Sequence, residues 1–116
     1  MLHGEFTRGT TPTHIFYLPD GIELSDIEDV SIAYRQKKNT VLVKHLKDCH
    51  SLPDLDPKKE FALILSQEDT LLFNPNIPIV EVQLKAKTVG SDVIPLEELR
   101  LRLRDCFDTE IFDLRQ

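Results

Sequence analysis

Residues 77–88 alternate in character along the chain. Val80, Val82, Leu84 and Ala86 fall on one side of an extended backbone, and Ile79, Glu81, Gln83, Lys85 and Lys87 on the other. Successive side chains of a strand point to opposite faces of its sheet, so this pattern specifies a strand buried on one face and wet on the other. Such a strand needs neighbours in its own sheet and a second layer over its apolar side.

The nearest candidate neighbour follows the turn Val89-Gly90-Ser91-Asp92, and residues 95–107 carry two readings. As a helix, Pro95 stands at the first position, Glu97 and Glu98 in the first turn and Arg104 near the end, with Leu96, Leu99, Leu103 and Phe107 on one stripe. As a strand, Leu99, Leu101 and Leu103 alternate with Arg100, Arg102 and Arg104. A hairpin about Gly90-Ser91 then sets Val82 opposite Leu99 and Val80 opposite Leu101 inside, while Glu81 meets Arg100 outside. That cross-strand match favours the strand.

Further strands are legible upstream. Residues 13–18 are rich in β-formers, with His14, Phe16 and Leu18 on one face and Ile15 and Tyr17 on the other, which predicts a strand at least partly covered on both sides. Pro19-Asp20-Gly21 ends it, and an acidic loop over 22–29 follows, in which Ser25 is placed to cap one helical turn. Val30, Ile32 and Tyr34 alternate inward and lead through Gln36-Lys37-Lys38-Asn39 into residues 40–46, a hairpin whose turn lacks an Asn-Gly pair. After a polar loop over 47–59, Phe61–Leu65 reads as a central strand. Ser66-Gln67-Glu68-Asp69 then starts a helix of a turn or two before Asn74-Pro75-Asn76. About six short strands with one helical crossing predict a mainly β fold, a small immunoglobulin-like antiparallel β-sandwich. Residues 1–12 read as an irregular arm punctuated by Gly4, Gly9 and Pro12, and residues 105–116 as an acidic tail of the same single domain.

Composition narrows the function. The 116 residues are 41% hydrophobic and 29% charged, the balance of a globular domain rather than a disordered chain or a membrane span. Fourteen basic against twenty acidic groups leave a net charge of −6, which argues against a nucleic-acid backbone as partner. The first residues show no cationic and apolar signal pattern, so the expected setting is a cytoplasm, with no membrane partner and with Cys49 and Cys106 as reduced thiols.

No stretch carries a recognisable catalytic constellation. His45, Cys49 and His50 lie close in sequence, but they fall on a strand and a loop with no second ligand pair at zinc spacing, so no metal site is expected. His3 is expected at the surface and His14 on a strand with a satisfied partner. The acidic residues cluster in loops, as solvated faces do. No glycine-flanked nucleophile elbow accompanies the serines, and none of the four glycines builds a phosphate-cradling loop. The expectation is a chain that is not an enzyme and takes no cofactor.

One local basic patch stands out on this acidic chain. In the strand reading, Lys85, Lys87, Arg100, Arg102 and Arg104 form a cationic stripe flanked by Glu81 and Glu98 on the outer face of one sheet. Glu81, Lys85, Lys87, Arg100, Arg102 and Arg104 are therefore the candidate partner-binding residues, since arginine favours interfaces through its bidentate reach.

The segments Arg8-Gly9-Thr10-Thr11-Pro12-Thr13-His14, Ile15–Pro19, Ser31–Gln36, Leu65–Thr70, Val82–Leu84 and Ser91–Ile94 together resemble a family of small uncharacterised proteins encoded by bacteriophages and prophages of Gram-positive bacteria. The likeness spans nearly the whole chain, and the RGTTPTH lead-in is its most specific piece. It implies a compact β fold, a phage origin and a place in the host cytoplasm or the virion, and it supplies no catalytic residues. The Leu96-Glu97-Glu98-Leu99-Arg100 segment departs from the family pattern. Two functions follow as expectations: a virion-associated structural or assembly module working through protein–protein contacts, with itself or with virion components, or a soluble acidic protein whose loop 20–29 and tail engage a basic host surface.

Overall fold

The alternating stretch is the central strand of the larger of two sheets. The computed structural model describes residues 2–107 and 110–111. Its strands are β1 (Glu5–Thr7), β2 (Thr13–Tyr17), β3 (Ile27–Gln36), β4 (Asn39–His45), β5 (Glu60–Ile64), β6 (Ile79–Thr88) and β7 (Val93–Arg104), with one helix, α1 (Gln67–Leu71). Five strands form a sheet in the order β1-β7-β6-β3-β4, and β2 pairs with β5 in a second sheet. The chain is a small, mainly β sandwich, and the helical crossing expected near residue 66 carries it from the small sheet to the large one.

The core lies between the layers. Val80, Val82, Leu84 and Ala86 of β6 are buried beside Val30, Ile32 and Tyr34 of β3, and Phe16, Phe61, Leu63 and Leu65 close over them from the other side. Fully burying one such aliphatic or aromatic side chain contributes about 1.5–3 kcal/mol, so this cluster holds the two layers together. Phe73, which follows α1, meets Phe6 edge to face at 5.4 Å and Tyr34 at 6.0 Å, joining three segments distant in sequence. Ser66 caps α1 as expected: the Asp69 N–H donates to its Oγ and its own N–H donates to Asp69 Oδ2, each at 3.0 Å.

The last element is a strand. Val82 stands opposite Leu99, Val80 opposite Leu101 and Glu81 opposite Arg100, the register expected from the hairpin. The helix-like spacing of Leu96 and Leu99 has a local cause. Gln83 faces Glu98 and Lys85 faces Pro95, so Leu84 alone spans both Leu96 and Glu97. This bulge inserts one residue into β7, so Leu96 and Leu99, three apart, both pack against the core although the backbone is extended. Pro95 is tolerated because β1 lies alongside only residues 102–104, leaving β7 as an edge at that point.

Several expectations need correction. The arm at residues 1–12 is not wholly irregular: β1 runs parallel to β7, with Phe6 beside Leu103, and it sinks the Phe6 ring into the core. The face of β2 bearing Ile15 and Tyr17 is open, at 40% and 57% exposure, since among the described residues no third layer covers the small sheet. Strand β3 starts at Ile27 rather than Val30. The turn before it is a 3-10 turn over Leu24–Asp26 whose cap is Glu23, not Ser25, with the Glu23 N–H donating to Asp26 Oδ2 at 3.0 Å. The polar loop at 47–59 is interrupted by a bridge between His50 and Ala62. Of the expected acidic tail, residues 108–109 and 112–116 lie outside the described residues.

Candidate partner-binding face

The outer face of the large sheet is built by the same alternation that builds the core. Residues with odd numbers in β6 and even numbers from 98 to 104 in β7 point away from the second layer, which brings Glu81, Lys85, Lys87, Arg100, Arg102 and Arg104 onto one surface. All five cations are exposed and Glu81 is half-buried. The sequence-derived stripe is thus a single face of adjacent, paired strands.

Its charges are not equivalent, because neighbouring elements neutralise some of them. Glu81 stands across from Arg100 in the ladder, yet its carboxylate pairs on the other side with Arg35 of β3 at 3.2 Å. Lys87 reaches Glu28 at 3.5 Å, and Arg104 reaches Glu5 of β1 at the same distance. Among the described residues, Lys85, Arg100 and Arg102 make no such pair within 4.0 Å, and these three carry the unbalanced charge of the face. Exposed pairs of this kind contribute at most about 1 kcal/mol each, so a partner's acid can compete for any of these cations.

The ends of the stripe are concave. Ile77, Pro78, Ile79, Lys37 and Arg100 border a hollow of about 310 Å³ at one end. Asp29, Ser31, His45, Lys85, Lys87 and Val93 border one of about 320 Å³ at the other. There Asp29 Oδ2 lies 3.0 Å from His45 Nδ1, and Asp29 Oδ1 accepts the Val30 N–H at 2.8 Å.

Several titratable groups elsewhere are partly buried in the fold. His14 Nδ1 lies 2.6 Å from the Tyr34 hydroxyl inside the sandwich. Burial lowers this imidazole from 6.5 to about 4 and pushes the Tyr34 phenol upward, so both are neutral at pH 7. The two neutral groups share one hydrogen bond, whose donor is set by the imidazole tautomer. Burial works against charge on Asp69, but the Ser66 amide and Lys44, at 3.3 Å, hold its carboxyl below the ordinary range. Glu97, on the bulge, is raised by burial, and its Oε2 is buried without a hydrogen-bond partner. Burial, with Asp48 and Asp29 nearby, pushes the Cys49 thiol up to about 11, so it stays protonated. No disulfide joins Cys49 and Cys106.

His45, Cys49 and His50 do not converge. His45 faces Asp29 on the outer sheet, the Cys49 thiol lies 3.6 Å from the His45 carbonyl, and His50 is bridged to Ala62. Among the described residues no three His, Cys, Asp or Glu side chains gather as metal ligands, and no helix is long and apolar enough to cross a membrane. Sequence reasoning missed the buried polar residues Gln36 and Thr70. The Gln36 amide donates to the Asn74 and Ile77 carbonyls at 2.9 Å and accepts the Asn74 N–H, and Thr70 Oγ1 accepts the Gly9 N–H and donates to the Thr10 carbonyl. Both fasten loops to the core. No protein-family model matches the chain, and no curated protein matches it in sequence.

Proposed function

We propose that this chain is a non-enzymatic protein-interaction module that docks an acidic protein partner on the outer face of its large sheet. The observation that carries the reading is the placement of Lys85, Arg100 and Arg102, exposed and without an acidic partner among the described residues, on β6, paired on both sides, and on β7, paired with β6 and, at residues 102–104, with β1. A rigid, cross-strand array presents its charges with little backbone entropy left to lose on binding, and guanidinium groups engage carboxylates through two parallel hydrogen bonds. On an acidic chain, such a patch also selects among partners by charge.

The resemblance to phage and prophage proteins supplies the setting: a structural or assembly part, made in the host cytoplasm and carried into the virion. Mass spectrometry of intact purified particles tests it. The chain is expected among the particle proteins, and its absence there removes the virion role.

The alternative of an acidic host-directed protein draws less support. Asp26, Glu28 and Asp29 of the acidic loop are engaged within the fold by the Glu23 amide, Lys87 and His45, and Asp20 lies 3.8 Å from Lys59.

A further inference from the structure

One end of the docking face is more than a lysine patch. In the ladder, Ser31 of β3 is flanked by His45 of β4 and by Lys85 of β6. In the adjacent row Asp29 stands opposite Lys87, and Lys87 opposite Val93 of β7. These six residues, with Ala86, line the concavity of about 320 Å³.

A serine, a histidine and an aspartate side by side suggest acyl transfer, but the backbone argues otherwise. Ser31 lies on a strand paired on both sides, so the ladder takes up the backbone N–H groups that would have to form an oxyanion hole. His45 and Asp29 are 42% and 46% exposed, on an open face that does not exclude water.

The geometry does suit a carboxylate ligand. Both Asp29 oxygens are engaged, one by the Val30 N–H and one by the imidazole, which directs the aspartate toward His45 rather than toward the lysines. The Ser31 hydroxyl and the Lys85 and Lys87 ammonium groups remain around the hollow as donors. Lys87 already meets a carboxylate, that of Glu28, at 3.5 Å, while Lys85 has none within 4.0 Å among the described residues.

We propose that this concavity is an acid-binding subsite of the docking face. A carboxylate side chain from an acidic segment of the protein partner lies between Lys85, Lys87 and the Ser31 hydroxyl, displacing Glu28 from Lys87, with Val93 against its methylene groups. This rests on the docking reading above and names the chemistry recognised at one end of it.

Titration of the isotope-labelled chain with a hexaglutamate peptide, followed by amide and side-chain NMR, tests both levels separately. Saturable shifts are expected at Ser31, His45, Lys85 and Lys87. The double variant Lys85→Gln/Lys87→Gln, with unchanged thermal stability, should bind the peptide about fivefold more weakly, the effect of losing two exposed ion pairs. Shifts confined to the surroundings of Arg100 and Arg102 would overturn the subsite and keep the docking face. No saturable shift anywhere would overturn both. A parallel titration with inorganic phosphate should bind more weakly, and phosphate binding the same residues as tightly as the peptide would overturn the assignment to an acidic protein segment.

Discussion

Acidification should destabilise this domain through one largely buried imidazole. His14 lies in the sandwich with Nδ1 at 2.6 Å from the Tyr34 hydroxyl and its ring 5.3 Å from Phe6, and burial lowers its pKa from 6.5 to about 4. The folded-state value is the depressed one, so the unfolded chain binds the proton first on acidification. The contribution to stability is therefore complete above pH 6.5 and is lost as the pH falls toward 4. A shift of about 2.5 units at 1.36 kcal/mol per unit corresponds to about 3 kcal/mol lost over that window, a large share of the 5–15 kcal/mol typical of a domain. Urea unfolding of the wild type and of His14→Gln between about pH 7 and about pH 4 measures it. The glutamine amide can still donate to or accept from the Tyr34 hydroxyl but does not titrate. The variant is expected to start less stable and to lose about 3 kcal/mol less on acidification. Asp69 and Asp105, whose carboxyls are also depressed, titrate in both proteins and cancel in the difference. Equal losses in the two proteins would refute the buried, neutral imidazole.

Other outcomes follow from the same contacts. Val82→Asp places an unpaired charge at a fully buried position of β6 and should cost about 4 kcal/mol or more, visible as loss of β-sheet circular dichroism at 25 °C. Ser66→Ala removes the cap of α1 and should cost about 1 kcal/mol, a fall of several degrees in Tm by calorimetry. Glu97 has a raised folded-state pKa, so its ionisation weakens the fold as pH rises through that value. Glu97→Gln should raise Tm at neutral pH, and the gain should vanish in acid, where the wild-type carboxyl is protonated.

The sequence revealed most where a pattern and a turn acted together. The alternation of β6, the Gly90-Ser91 turn and the arginine–leucine alternation after it were enough to set Val82 against Leu99. The same stretch kept a helical reading alive because the bulge at Leu96-Glu97 adds a residue, which a strict period of two does not anticipate. Strand β1 was illegible for a different reason: three residues are too few to show a period, and the partner of Phe6 is Leu103, nearly the whole chain away. The six charged residues of the face could be placed from alternation alone. Which of them are neutralised could not, because Arg35, Glu28 and Glu5 arrive from elements whose adjacency only the sheet order reveals. The Ser31–His45 neighbourhood was hidden by a second bulge. Counting back from the Lys37-Lys38 turn puts Ser31 opposite Lys44, whereas the residue inserted in β4 at Val41 brings His45 opposite Ser31, on the outer face that Ser31 already occupies.

The central claim is that this face, through Arg100, Arg102 and Lys85, holds an acidic protein partner. Quantitative mass spectrometry of particles assembled with wild-type chain or with Arg100→Glu/Arg102→Glu tests it most directly, provided circular dichroism shows the variant folded. The account predicts wild-type chain in the particles and the charge-reversed chain largely lost from them. Equal incorporation of the two would contradict it.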